Sequence, residues 1–205
     1  MLNNFVGIKE KSYCEIIVQK SKFYCFAYPV FSKNDVQKYL DELNKKYHDS
    51  THICYAYVLN DNGVQEKYND DGEPQGTAGY PICAVIKKKN LMNVLVCVVR
   101  YFGGIKLGAN GLTRTYSSCT SRVLEESEIY KYELSRKLTI KFNSMEYFKY
   151  VRLLNSSVVK NRKEIFEEDI CKVDIFINEK EVENFIVQLR LIDSNIQIEY
   201  TECYL

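Results

Sequence analysis

Residues 98–116 read VVRYFGGIKLGANGLTRTY. The stretch opens at the end of an apolar run, Val94 to Val99, passes Gly103, Gly104, Gly108 and Gly111, and ends in residues with helical spacing. The run barely alternates between apolar and polar, which predicts a strand covered on both faces. Leu112, Tyr116, Cys119 and Val123 recur on one helical stripe, which predicts a helix from about Gly111 to Glu128. A glycine-lined entry to a helix lets backbone approach a ligand and leaves N–H groups without intrahelical partners. Arg100, Lys106 and Arg114 lie along the stretch, and no acid does.

The charge pattern around it is lopsided. From Pro74 through Leu124 there is no Asp or Glu, while the same window holds Lys87, Lys88, Lys89 and Arg122 besides the three cations above. Net charge is only +1, so the imbalance is local and points to an anion site rather than a uniformly basic surface. Arg114 is expected within the first helical turn, where a cation is unfavourable unless an anion sits there too. The expected ligand is phosphate-sized, at the turn from Gly108 to Arg114. The Gly-Lys-Ser/Thr ending of a Walker loop is missing, and so is the spacing of a dinucleotide fingerprint. The plainer alternative is a tight strand-to-helix joint with solvated cations.

Immediately before this window stands NDDGEPQGTAGYP, residues 69–81. Asp70, Asp71 and Glu73 could hold a magnesium ion beside a ligand phosphate. They could instead form a turn, with Asp bonding its own backbone and Gly taking positive φ. A third option is pairing with Arg100 or Lys106. The only histidines, His48 and His52, stand four apart near the end of an expected helix with no third ligand close in sequence, so no metal is expected. No nucleophile–base pair is legible, no catalytic residue is assigned and no cofactor is expected. Eight cysteines, none in a CxxC pair, lie mostly in apolar runs and read as reduced core thiols of a cytosolic protein.

The 205 residues, 46% of them hydrophobic, are enough to bury a substantial core, and no apolar run approaches the roughly 20 residues of a membrane span. The N-terminus carries no signal-peptide pattern. Residues 13–30 predict two strands joined by a tight turn at Lys20-Ser21. Ser32 with Asp35 reads as a capping box before a helix bearing Val36, Tyr39, Leu40, Leu43 and Tyr47. Asp61-Asn62-Gly63 reads as a hairpin turn between two further strands. Pro81 is expected as the first residue of a short helix. After a restart near Tyr130 to Ser135, the pattern is strand-helix-strand-strand-helix-strand, the ferredoxin-like order, with a turn at Glu167-Glu168-Asp169. The expected class is α+β in two domains, 1–134 and 135–205.

Two long motifs, NDDGEPQGTAGYPI (69–82) and NVLVCVVRYFGGIKLGANGLTRTYSS (93–118), resemble the signature of the IMPACT/YigZ family in its bacterial branch. SKFYCFAYPV (21–30) and STHICYAYV (50–58) look like earlier segments of that family. The resemblance implies an N-terminal α/β sandwich like the second domain of a small-subunit ribosomal protein. It also implies a ferredoxin-like C-terminal domain similar to elongation factor G domains. Its motif residues fall here at Asp70, Asp71, Glu73, Gly76, Thr77, Arg100, Gly103, Gly104, Lys106, Gly108, Gly111 and Arg114. The chain departs from the pattern at Tyr80, often basic in the family, at Asn110, usually glycine, and at Ile53.

Eukaryotic members of the family regulate translation by blocking activation of a starvation-responsive kinase through a ribosome-associated partner. The expectation for this chain is a cytoplasmic protein, not an enzyme, that binds RNA or the ribosome, with a possible protein partner in translation control and no membrane. Its contacts are expected from Arg100, Lys106, Arg114 and the Lys87-Lys88-Lys89 run, with Tyr101 and Phe102 placed to stack on bases. The alternatives are a Mg-dependent enzyme acting on a phosphorylated metabolite and a protein-interaction module that takes no nucleic acid.

Overall fold

A computed structural model describes residues 4–60 and 63–204, with Tyr204 described by its backbone alone. The chain divides into two compact units, residues 1–131 and 132–205. It is a mixed fold of two five-stranded sheets and helices.

The first unit begins with β1 (Asn4–Ile8), β2 (Ser12–Val18), β3 (Ser21–Pro29) and α1 (Lys33–Lys46). It continues with β4 (His52–Asn60), β5 (Val64–Asn69), α2 (Gly79–Lys88), β6 (Val94–Tyr101) and α3 (Gly108–Glu125). Its sheet has the order β2-β3-β6-β4-β5, every neighbouring pair antiparallel. The central β6 is buried from Val94 to Arg100, because helices cover both faces. Val94, Val96 and Val98 point into a core with α2 and α3, through Ile82, Tyr116 and Cys119. Leu95, Cys97 and Val99 point the other way, against Val36, Leu40 and Leu43 of α1. The period-two pleat thus delivers one strand to two cores.

Several local expectations shift by one to three residues. The β2–β3 turn is at Gln19 and Lys20, with φ of 44° and 66°, rather than at Lys20-Ser21. Two consecutive positive-φ residues match the twist of a two-residue hairpin. The capping box at α1 is present, Asp35 N–H donating to Ser32 Oγ (3.1 Å) and Ser32 N–H to Asp35 Oδ2 (2.9 Å). β4 and β5 pair as a hairpin, Asn60 opposite Val64, while Asp61 and Asn62 of the expected turn lie outside the described residues. α2 begins at Gly79, so Pro81 is its third residue, still inside the first turn where a missing N–H costs nothing. α3 starts at Gly108, three residues early, and ends at Glu125. Arg114 therefore stands in the second turn rather than the first.

The second unit follows from β7 (Ile129–Asn143) through α4 (Tyr147–Leu154), β8 (Val159–Glu167), β9 (Ile170–Asn178), α5 (Val182–Ile192) and β10 (Gln197–Tyr204). Within it the strands lie in the order β10-β7-β9-β8, all antiparallel. Its core joins Leu138 and Ile140 of β7 to Val173 and Ile175 of β9, with Leu154 and Phe185 from the two helices. No helix among the described residues is long and apolar enough to cross a membrane. The cysteines are all free thiols, seven of them buried.

Candidate functional site

The start of α2 and the start of α3 lie at one end of the first sheet, and hydrogen bonds show how. Thr51 N–H donates to the Arg100 carbonyl (2.8 Å), and Phe102 N–H to Thr51 Oγ1 (3.0 Å), so β6 ends beside the entry to β4. Gly103 N–H donates to Ser21 Oγ (3.1 Å), which brings in the β2–β3 hairpin. A Cβ on Gly103 would stand 2.1 Å from the Lys20 carbonyl carbon and oxygen, so only glycine fits this close approach. Gly104 (φ +84°) has open space around it and serves the turn by conformation instead.

The acidic segment closes the same end. Asp70 accepts the N–H groups of Ala78 (3.0 Å) and Gly79 (2.8 Å) on one carboxylate oxygen and of Gly76 (2.8 Å) on the other. It caps α2 from outside, taking the N–H groups of the N-cap Ala78 and of the first helical residue Gly79, where the helix has no N-cap side chain of its own. Asp71 Oδ2 accepts from Ile53 N–H (2.6 Å), and the Asp71 carbonyl lies 2.6 Å from His52 Nδ1. Thr77 Oγ1 donates to the Pro74 carbonyl (2.6 Å). Glu73 is buried and takes two donors, Arg100 Nη1 (2.5 Å) and Tyr116 Oη (2.8 Å). The Cys54 thiol lies 3.3 Å from Tyr116 Oη and 3.0 Å from the Asp70 carbonyl. Burial beside Cys54 and Glu73 raises the Tyr116 hydroxyl well above its ordinary value, so it stays a neutral donor.

Two sequence expectations change here, those for Arg100 and for the Lys87-Lys88-Lys89 run. Arg100 is not an exposed anion ligand: its side chain is 6% exposed, paired with Glu73 and held near the rings of Phe23 and Phe102. Asp70, Asp71 and Glu73 each already carry protein donors, and among the described residues no three His, Cys, Asp or Glu side chains are placed to hold a metal ion. The Lys87-Lys88-Lys89 run lies at the far end of the helices. There Lys87 pairs with Glu66 (2.8 Å) and Lys89 with Glu125 (3.4 Å), the last residue of α3. The 18 residues of α3 put about 27 Å between that pair and the glycine turn.

Lys88 is exposed at that far end and makes no ion pair among the described residues, which leaves Lys106 and Arg114 at the glycine turn. Both are exposed and neither makes an ion pair among the described residues. The first turn of α3 holds no acid, and its N-cap, Leu107, offers no side-chain acceptor. Gly108 enters the helix at φ +69°, and Gly111 sits inside that first turn. The arrangement can offer backbone N–H groups, a helix dipole and two cations to an anion. Sequence reasoning missed Tyr116 as a polar partner, since it fell on the core stripe. A fully buried tyrosine needs a partner for its hydroxyl, and that was the available signal.

A family model, the Impact N-terminal domain, matches residues 19–124. The IMPACT family member YvyE of Bacillus subtilis (strain 168) is 35% identical over 188 residues, 90% of this chain and 85% of its own length. An IMPACT family member from Thermus thermophilus is 38% identical over 111 residues, 54% of this chain and 59% of its own. A solved structure described as the crystal structure of an hypothetical protein is similar with a TM-score of 0.71 at 21% identity, over 97% of each chain, which is a likeness of fold. With the family model over half its length and YvyE over nearly all of it, this chain belongs to the IMPACT family.

Proposed function

We propose that the protein is a translation-associated regulator of the cytoplasm that binds RNA, free or on the ribosome, through the turn at the start of α3. The observation that carries this is the pair of exposed cations, Lys106 and Arg114, unmatched by any acid beside a helix start without an acidic first turn. A phosphate supplies the missing negative charge, and phosphate contacts carry most of the affinity in such complexes. Membership of the IMPACT family, whose eukaryotic members the sequence resemblance associates with translation control, supports the regulatory reading, with a protein partner there as a further expectation. In this reading the first unit resembles a ribosomal-protein domain and the second a ferredoxin-like domain of elongation factor G type. The strand order β10-β7-β9-β8 with two crossover helices supports the latter.

Co-sedimentation with ribosomes through a sucrose cushion tests the proposal. The protein pellets with ribosomes at low salt and is released at high salt, and Lys106→Ala/Arg114→Ala stays in the supernatant at both. A double variant that pellets like the parent contradicts it. A second reading, a protein-docking module, has one observation in its favour: Met145 and Phe148 of the second unit are 82% and 86% exposed. A pulldown that survives nuclease and high salt, and fails with Phe148→Ser, selects that reading.

A further inference from the structure

The α1 side of the first sheet is only partly covered. α1 shields the β6 and β4 side chains and, on β3, Phe26 and Tyr28, which are buried against it. From that edge a set of rings that are partly exposed, Tyr13, Tyr24, Tyr47, Tyr101 and Phe102, continues outward. Tyr13 lies 5.0 Å from Phe26, Tyr24 is stacked on Tyr47 at 5.7 Å, and Tyr101 meets Tyr24 edge-on at 5.9 Å. Two clefts of about 490 and 550 Å³ run along these rings and share Tyr47. At their outer ends Tyr13 and Phe102 keep 47% and 46% of their surface exposed.

Lysines accompany the rings. Lys11 and Lys46 line the first cleft, Lys20 and Lys22 the second, and none of the four makes an ion pair among the described residues. The acids lining the clefts are fewer, Glu42 in the first and Asp49 in the second. Asp49 is occupied as acceptor for Tyr101 Oη (2.6 Å). Glu15 stands on the same face of β2, opposite Tyr24. The lining therefore combines two half-exposed rings, Tyr13 and Phe102, and the partly exposed Tyr24, Tyr47 and Tyr101 with cations that make no ion pair among the described residues, the chemistry that stacks bases and tracks a phosphate backbone. An apolar peptide would leave the lysines without partners.

We propose that this groove is a stacking site for a single-stranded RNA segment, continuous with the glycine turn through Phe102. The inference rests on the RNA reading above and adds the strand type and a second contact surface. Phe26 and Tyr28 lie buried under α1, so the accessible rings are Tyr13, Tyr24, Tyr47, Tyr101 and Phe102, a surface with room for about two bases. The rings tolerate any base, so the site prefers unpaired RNA rather than a particular sequence.

Fluorescence anisotropy with a labelled 12-nucleotide oligouridylate, an oligoadenylate of the same length and the duplex of the two tests the inference. Tyr13→Leu and Phe102→Leu keep apolar bulk and remove the ring, with thermal melting as the check on folding. Both single strands bind about tenfold or more tighter than the duplex, and each Leu variant loses about tenfold in single-strand affinity at an unchanged salt slope. Equal affinity for duplex and single strands, or Leu variants that bind like the parent, overturns the groove while leaving the glycine-turn proposal standing. No binding to any of the three RNAs overturns both. A concentration-dependent dimer in sedimentation analysis, abolished by Tyr13→Leu, shows a second copy in the groove and also overturns the assignment.

Discussion

Arg100 and Glu73 stand 27 residues apart in sequence and form one buried pair. Burying two charges is unfavourable unless each finds its partner, and removing one partner leaves the other stranded. Arg100→Ala is expected to lower stability by about 3–5 kcal/mol in urea denaturation. Tyr116→Phe removes one of the two Glu73 donors and is expected to cost about 1–2 kcal/mol. Arg100 therefore belongs to the scaffold that holds the acidic loop against β6, and only Lys106 and Arg114 can be mutated to probe binding without that penalty. Sequence spacing could not separate these roles, because Arg100, Lys106 and Arg114 look alike in an acid-free window. What separates them is the pleat: Arg100 follows Val98 onto the α2/α3 face, where Glu73 arrives from a distant loop.

The neighbouring residue, Tyr101, faces α1 and gives a pH prediction. Its hydrogen bond to Asp49 pushes the phenol up to about 12 and holds the carboxyl below its ordinary value. A raised phenol pKa means this stabilisation is complete below the ordinary value near 10 and is lost as pH rises through 12. The depressed carboxyl means it is also lost as pH falls below about 4. Tyr101→Phe should therefore be less stable than the parent between about pH 5 and 10, and the gap should close at both extremes in denaturation series.

At the level of elements, the strand-helix order was readable because the hydrophobic periods are clean. β6 barely alternates and is covered on both sides, and the α1 stripe begins at a capping box that the sequence spells out. Ser32→Ala is expected to cost about 1 kcal/mol, measured by thermal melting. Boundaries at glycines were harder. The helix was expected from about Gly111, yet α3 begins at Gly108, since a helix tolerates glycine in its first turn when the following stripe is buried. Gly103 was legible as a tight-joint residue but not for its reason, the Lys20 backbone 2.1 Å from where a Cβ would go. Gly103→Ala must push the hairpin away and is expected to cost about 1–3 kcal/mol in denaturation, with the hairpin amides losing hydrogen-exchange protection first.

For the whole chain, the acid-free window turns out to be three places. Arg100 is matched inside the first unit, and Lys87 and Lys89 are matched at the far end of the helices. Lys88 at that end makes no ion pair among the described residues, and neither do Lys106 and Arg114 beside the helix start. Charge counted along a chain cannot reveal this division, because it depends on which ends of α2 and α3 the topology brings together. The central claim is that the last pair contacts phosphate. Its most direct measurement is the slope of log affinity against log salt for single-stranded RNA, in the parent and in Lys106→Ala/Arg114→Ala. Removal of two phosphate contacts predicts a slope shallower by about 1.4, with melting temperature unchanged. Parallel slopes in parent and variant would contradict the claim.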